Sequence, residues 1–131
     1  MKIKYWYFII FWFLLNVFQA ATTELTSDEG YYWFYATQLE WGYYDHPPFL
    51  AVLIAIGKTL FSSELGVRFM NILLISISLF PFFKLIPESY REKHTTYLIL
   101  LSLPLLSYLT FFAFPDSPLI AFFVWFLFGY K

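Results

Sequence analysis

Long uncharged runs of apolar residues limit what this chain can fold into. Residues 5–23 contain no charge, residues 66–86 carry charges only at Arg68 and Lys84 near their ends, and residues 95–115 are again uncharged. A fourth run occupies residues 117–131 and stays apolar as far as Tyr130. Because about 20 mostly apolar residues cross the hydrocarbon core of a bilayer, these runs predict about four membrane spans.

The composition points to the same environment. The 131 residues are 60% hydrophobic and only 13% charged, which leaves too few polar side chains to cover a soluble globule of this size. We therefore predict an all-α fold, a polytopic transmembrane helix bundle in which residues 1–131 form part of one domain. The net charge of −1 gives no basic field that would recruit nucleic acid, and the absence of cysteine excludes disulfides and thiolate metal sites.

The two ends of the sequence raise separate questions. Because the fourth run is short, we expect residues 1–131 to be the N-terminal part of a longer protein; a naturally short membrane protein is the alternative. Lys2 and Lys4 before an apolar core also fit a signal peptide. However, Phe18 occupies a position before Ala20 where a signal peptidase requires a small residue, so an uncleaved first span is favoured.

The distribution of Lys and Arg predicts an orientation. With the N-terminus inside, the cytoplasmic side receives six basic residues and the opposite side only Lys58 and Arg68. The six are Lys2, Lys4, Lys84, Arg91, Lys93 and Lys131. Cytoplasmic loops favour these residue types, so the N-terminus is predicted to be cytoplasmic and the loop 24–65 to lie on the non-cytoplasmic face, together with the turn 115–118.

The outer loop 24–65 contains a shorter apolar segment, residues 47–61, with Lys58 inside it. A segment of this length typically forms an interfacial or buried helix and does not cross the bilayer. We therefore predict two helices in this loop, roughly 28–40 and 48–61. Within the third span, Pro104 predicts a kink.

Asp28 and Glu29 begin the first loop helix. Thr26 and Glu29 have the spacing of a capping box, and acids in a first turn complement the helix dipole. The functional alternative is that Asp28 is a carboxylate at the membrane surface that orients or deprotonates a substrate hydroxyl. The residues alone leave both interpretations open.

The same loop is rich in aromatic residues, and their role is also open. They can form an aromatic belt at headgroup depth, or they can grip a sugar ring or a polyprenyl chain beside the carboxylates. We regard Tyr32, Trp41 and Tyr44 as substrate-binding candidates. The full set is Tyr31, Tyr32, Trp33, Tyr35, Trp41, Tyr43 and Tyr44.

Asp45 and His46 precede a double proline, which is typical of a turn. A divalent cation bound by these two residues and Asp28 is a weak alternative, because one histidine with scattered acids is a poor signal for a metal site. Asp116 starts a helix in the turn before Pro118, and the predicted topology brings it to the same face as Asp28 and Asp45.

Arg68 also has two interpretations. It lies four residues after Glu64, the spacing of an ion pair along one helix. Alternatively, an arginine at the outer headgroup level can hold a lipid phosphate through its planar guanidinium.

Three of these segments together resemble a known family. DEGYYWFYATQLEWGYYDHPPFLAVLI, SELGVRF and FPDSPL, in this order, are similar to the N-terminal part of polytopic glycosyltransferases that use lipid-linked sugars. These enzymes form the dolichyl-phosphate-mannose protein mannosyltransferase superfamily, with the GT-C fold. The superfamily includes the bacterial aminoarabinose transferases of lipid A and the rhizobial lipopolysaccharide core transferases. The resemblance covers nearly the whole chain from residue 24 onward.

The resemblance implies an inverting transfer of a sugar from a polyprenyl-phosphate donor to a lipid, glycan or protein acceptor, on the non-cytoplasmic face of a bacterial inner membrane. It implies Asp28 as the catalytic acid with Glu29 beside it. Asp116 would line the same cavity, and Asp45 and His46 would shape the pocket. Arg68 is then the nearby cation for the leaving phosphate.

Members of this family have many more spans, so the resemblance implies that the 131 residues alone are inactive. Two other classes remain open from the residues. A transporter or flippase fragment predicts acids at mid-membrane depth. A non-catalytic membrane subunit, in which aromatic belts and helix caps explain everything, does not require Asp28, Asp45 and Asp116 to face each other.

Overall fold

The computed structural model describes residues 4–131, and Lys2 of the charge count lies outside this range. Within it the chain forms helices and no strands, so the all-α prediction is confirmed. The helices are α1 (Tyr5–Thr22), α2 (Ser27–Thr37), α3 (Phe49–Leu60), α4 (Glu64–Leu85), α5 (Glu88–Arg91), α6 (His94–Ser102), α7 (Pro104–Phe111) and α8 (Asp116–Tyr130).

Two of these helices, α1 and α4, are long and apolar enough to cross a membrane, and α6 with α7 adds a third if the pair is one bent span. α4 has 22 residues, and a rise of about 1.5 Å per residue makes it about 33 Å long. α8 has only 15 residues, about 22 Å, which is less than the roughly 30 Å of a hydrocarbon core. The described residues therefore contain two or three candidate spans where the sequence predicts four.

The break between α6 and α7 confirms the predicted kink at Pro104. The two helices meet at an angle of 66°. Leu103 between them is extended, with φ −82° and ψ 105°, as expected for a residue before proline. Because Pro104 has no N–H and occupies the first turn of α7, it ends one helix and starts the next.

α4 forms the centre of the bundle. It packs against α1, α3, α7 and α8. At one end, aromatic residues of α1 interlock with α4 and α6 in a buried cluster of Tyr5, Phe8, Trp12, Leu79, Phe83, Tyr97 and Leu100. Toward the other end, Val67 of α4 packs with Leu50 and Ile54 of α3 and with Ala113. α4 therefore connects the aromatic end of the bundle to the outer loop.

The hairpin from α3 to α4 depends on two glycines. A Cβ atom on Gly57 would overlap the backbone oxygen of Gly66, and a Cβ atom on Gly66 would overlap the backbone oxygen of Phe61. Only glycine permits this close approach of two backbones. The contact holds α3 tightly along the first turns of α4.

Both predicted helices of the outer loop are present, as α2 and α3. α2 starts with the predicted capping box: the Thr26 hydroxyl accepts a hydrogen bond from Glu29 N, and the Glu29 carboxylate accepts one from Thr26 N. α3 packs against α2 as well as α4. The large apolar side chains that α1 and α8 leave exposed, Phe18 and Phe126 among them, are those that a bilayer would cover.

Candidate functional site

The first turn of α2 holds two adjacent acids in opposite environments. Asp28 is exposed, whereas Glu29 has no exposed surface at all. Both acids lie at the N-terminus of the helix, where backbone N–H groups favour negative charge. Asp28 is therefore available to a substrate, and Glu29 faces the interior.

Glu29 forms a bidentate ion pair with Arg68 of α4. Arg68 Nε donates to Glu29 Oε1 and Arg68 Nη2 donates to Glu29 Oε2, both at 2.7 Å, and neither side chain is exposed. Two backbone N–H groups complete the shell of the carboxylate: Thr26 N at 3.0 Å from Oε2 and Ala113 N at 3.2 Å from Oε1. One carboxylate thus connects α2, α4 and the segment before α8.

The charge state of Glu29 follows from these contacts. Burial raises the pKa of the carboxyl group. The hydrogen bonds from Arg68, Thr26 and Ala113, with the positive charge of the guanidinium, outweigh burial and lower the pKa below its ordinary value. Glu29 is therefore ionised at neutral pH, and its lone pairs are occupied by protein donors.

This arrangement corrects the predictions for Arg68. The predicted pair with Glu64 is wrong, because Arg68 pairs with Glu29. Arg68 also donates to the backbone oxygens of Thr23 at 2.8 Å and Glu24 at 2.9 Å. Its side chain is fully buried and four of its N–H donors are engaged, so it does not offer a free guanidinium to a phosphate. Its position is interior because α2 folds over it.

Asp45 is held by two tyrosines of α2. Tyr35 OH donates to Asp45 Oδ1 at 2.8 Å, and Tyr31 OH lies at 3.0 Å from Asp45 Oδ2. The two phenol oxygens also contact each other. The hydrogen bond from Tyr35, followed by the one from Tyr31, lowers the pKa of Asp45, and the same network raises the pKa of Tyr35.

His46 completes the attachment of this loop to α2. Its Nε2 lies 3.5 Å from Asp45 Oδ2 and 3.3 Å from Tyr32 OH. The imidazole and phenol rings of His46 and Tyr32 meet edge to face, with centroids 5.1 Å apart. Asp45 and His46 of the DHPP segment are therefore fixed against one face of α2.

Tyr32 of α2 contacts both the loop that carries Asp45 and the connection that leads to Asp116. Burial raises the pKa of its phenol, and the negative charges of Asp28, Asp45 and Asp116 raise it further. Asp28 precedes Tyr32 by one turn on the same face of α2, and Phe114, two residues before Asp116, packs edge to face on the Tyr32 ring at 6.1 Å. The segments that carry the three predicted acids thus meet at Tyr32: α2 itself, the loop through His46, and the connection before α8 through Phe114.

Two of the predicted substrate-binding aromatics lie outside this group. Trp41 and Tyr44 are fully exposed. Trp41 borders a shallow groove with Leu39, Glu40, Pro48 and Val52, and none of Asp28, Asp45, Asp116 and Tyr32 lines this groove. The structure therefore brings Tyr32 into the site but not Trp41 or Tyr44.

The residues 4–131 contain no group of three or more His, Cys, Asp or Glu side chains arranged to hold a metal ion. The suggested divalent cation would have only Asp45 and His46 as neighbouring ligands, and the Asp45 oxygens already accept hydrogen bonds from Tyr31 and Tyr35. The residues present do not fit a metal site, and we derive no step through one.

The sequence interpretation missed the roles of Tyr31 and Tyr35. Both were grouped with an aromatic belt, whereas their hydroxyls hold Asp45. Their spacing of four residues, which places two phenols on one helix face, is the signal that could have indicated a shared partner.

Comparison of the chain with protein-family profiles, with curated proteins and with solved structures finds no match.

Proposed function

We propose that this chain belongs to a membrane-embedded glycosyltransferase that moves a sugar from a polyprenyl-phosphate donor to a lipid, glycan or protein acceptor, with inversion at the anomeric carbon. The observation that carries the proposal is the packing around Tyr32, one turn after Asp28, where His46 beside Asp45 and Phe114 two residues before Asp116 both contact the Tyr32 side chain. The motif resemblance supplies the reaction, and the geometry supports a shared site for these acids.

Asp28 is the proposed catalytic residue. Its exposed carboxylate accepts a hydrogen bond from the acceptor hydroxyl and takes the proton as the hydroxyl oxygen attacks the anomeric carbon. The bond from that carbon to the phosphate oxygen breaks, and the polyprenyl phosphate leaves with the electron pair. Asp116 lines the same site from the start of α8, and Glu29 has a structural role in holding α2.

The distribution of charge supports the proposed orientation. Lys131 Nζ donates to Lys84 O, and the Lys84 ammonium lies above the Tyr5 ring. Arg91 Nη2 also donates to Lys84 O. These basic residues gather at the opposite end of α4 from Arg68 and α2. We therefore propose a cytoplasmic N-terminus and a site on the non-cytoplasmic face of a bacterial inner membrane.

Transport is the weaker proposal. A transporter would require acids deep in its spans, and within α1 and α4 the described residues contain only Glu64, in the first turn of α4. A non-catalytic subunit would not need three separate acid-bearing segments to meet at one tyrosine.

The test is a transfer assay in membranes that contain the whole protein, with a panel of polyprenyl-phosphate sugars and a membrane extract as acceptor. Asp28→Asn should lower transfer by about 10²- to 10⁴-fold, the usual contribution of a general base. Glu40→Gln, which neutralises another exposed acid of the same loop, should retain activity. No transfer by the wild-type protein from any donor, or full activity of Asp28→Asn, would overturn the proposal.

A further inference from the structure

The segment between α7 and α8 is held by an asparagine of α4. Asn71 Nδ2 donates to Leu109 O at 3.1 Å, Thr110 O at 3.2 Å and Phe112 O at 2.8 Å. These carbonyls lie at the C-terminal end of α7, where a helix leaves its last oxygens without internal partners. One buried amide nitrogen therefore fixes the end of α7 from the side.

The same segment is also held by one backbone N–H group and by one aromatic ring. Ala113 N donates to Glu29 Oε1, and the guanidinium of Arg68 lies 4.5 Å from the centre of the Phe111 ring. Arg68 and Asn71 are three residues apart on α4 and thus lie on one face of it. Two neighbouring side chains of α4 therefore hold the short connection 112–115: Asn71 binds it directly, and Arg68 binds it through Glu29.

The carbonyl oxygen of the Asn71 amide, unlike its nitrogen, has no hydrogen-bond partner among the described residues. This Oδ1 atom is buried, and leaving it without a hydrogen bond carries a cost in desolvation. Leucine, which has a similar shape, would fill this 1% exposed position without that cost. The value of asparagine here lies in its N–H donors, and all three of their acceptors belong to the segment that leads to Asp116.

We propose that Asn71 is a positioning residue of the site: it fixes the connection 112–115, whose Ala113 binds Glu29 and whose Phe114 packs on Tyr32, and so sets where Asp116 starts α8 relative to α2. Its effect on catalysis rests on the proposed function, whereas its effect on the position of α8 does not.

A distance measurement tests the geometry without any activity. The 131 residues contain no cysteine, so Phe34→Cys on α2 and Leu119→Cys on α8, in a background with any cysteine elsewhere in the protein replaced by serine, provide two exposed sites for spin labels. In the whole protein, pulsed electron paramagnetic resonance should give one narrow distance distribution. Asn71→Leu should broaden or shift it, because α8 is no longer held relative to α2.

Asn16→Leu is the matched control. Asn16 is equally buried, at 2% exposed, but its Nδ2 donates only to Trp12 O of its own helix, at 2.8 Å. Its replacement should leave the distribution unchanged. Asn71→Ser keeps one short donor and serves if Asn71→Leu does not fold; it should give a smaller change in the same direction. A distribution identical to wild type in a folded Asn71 variant overturns the inference.

A kinetic cycle tests the route to catalysis. Asn71→Leu should lower kcat by about 10- to 100-fold with the donor KM unchanged, as expected when a reacting group is misplaced by about 1 Å. In an Asp116→Asn background the same change should have little further effect. Equal losses in both backgrounds would mean that Asn71 does not act through Asp116. If the wild-type protein transfers no sugar, the proposed function fails, and the distance measurement still decides the role of Asn71.

Discussion

Asp28 and Glu29 are neighbours in the sequence, yet they belong to different parts of the molecule. Asp28 is exposed in the first turn of α2, and Glu29 is fully buried against Arg68. One residue along a helix rotates a side chain by about 100°, enough to turn from solvent to the interior. The comparison teaches that two adjacent acids, which family resemblance groups together, have separate physical environments: one is open to solvent, and the other holds the helix in place through Arg68.

The largest predicted effect separates these two acids by stability. Glu29→Gln leaves the buried Arg68 without a counter-charge and should lower the free energy of unfolding by about 3–5 kcal/mol. Asp28→Asn is the matched change at an exposed site and should cost far less. Unfolding of the protein in detergent micelles, followed by helical circular dichroism, measures both. Equal losses in the two variants would contradict the division of roles.

A double substitution sharpens the interpretation of the Glu29 effect. Replacing both partners by apolar residues, Glu29→Met with Arg68→Met, removes the buried charges together. The double variant should be more stable than Glu29→Gln, because no unpaired charge remains inside. A double variant that is as unstable as the single one would show that the hydrogen bonds to Thr26, Ala113 and the loop backbone matter more than charge balance.

The pH dependence of stability gives a third test. Because the pKa of Glu29 is lowered in the folded protein, its contribution is present above the unfolded value of about 4.3 and is lost as the pH falls through the folded value. The difference in melting temperature between wild type and Glu29→Gln should therefore stay constant from pH 7 to 5 and shrink in more acidic buffer. A difference that grows on acidification would contradict the lowered pKa.

The smallest predicted effect concerns the helix cap. Thr26→Ala removes the hydroxyl that accepts from Glu29 N and should cost about 1 kcal/mol. Thr37→Ala, at the other end of α2, removes only a hydroxyl that donates to Phe34 O and is the control. Hydrogen exchange of the first-turn amides should increase in the first variant alone. Equal protection in both would mean that Glu29 holds the helix start by itself.

Much of the fold was predictable because its signals are local. The capping box of α2, the two loop helices and the break at Pro104 follow from spacing and residue type within a few positions. The span count was less predictable, because a broken helix and a 15-residue helix both read as apolar runs. The length of an apolar run alone does not distinguish a membrane-spanning helix from a shorter helix that does not span.

The site depended on contacts that spacing does not reveal. Arg68 had a local partner available in Glu64, and nothing in the sequence indicates that it reaches Glu29, 39 residues away, instead. The placement of Asp116 on the same face as Asp28 stays a prediction, although Ala113 and Phe114 just before Asp116 do contact Glu29 and Tyr32 of α2. Tyr32 is partly buried, whereas Trp41 and Tyr44 are fully exposed. The sequence does not predict this difference in exposure, because all three are aromatic residues of the same loop.

The ion pair between Glu29 and Arg68 also bears on how the chain enters a membrane. During synthesis Glu29 emerges first and Arg68 follows, in the second turn of α4. An arginine inside an apolar helix is unfavourable without a partner, and a carboxylate already in place offsets part of that cost. α2, which carries the carboxylate, thus precedes α4, which carries the arginine, so that the counter-charge of Arg68 is already part of the chain when Arg68 is added.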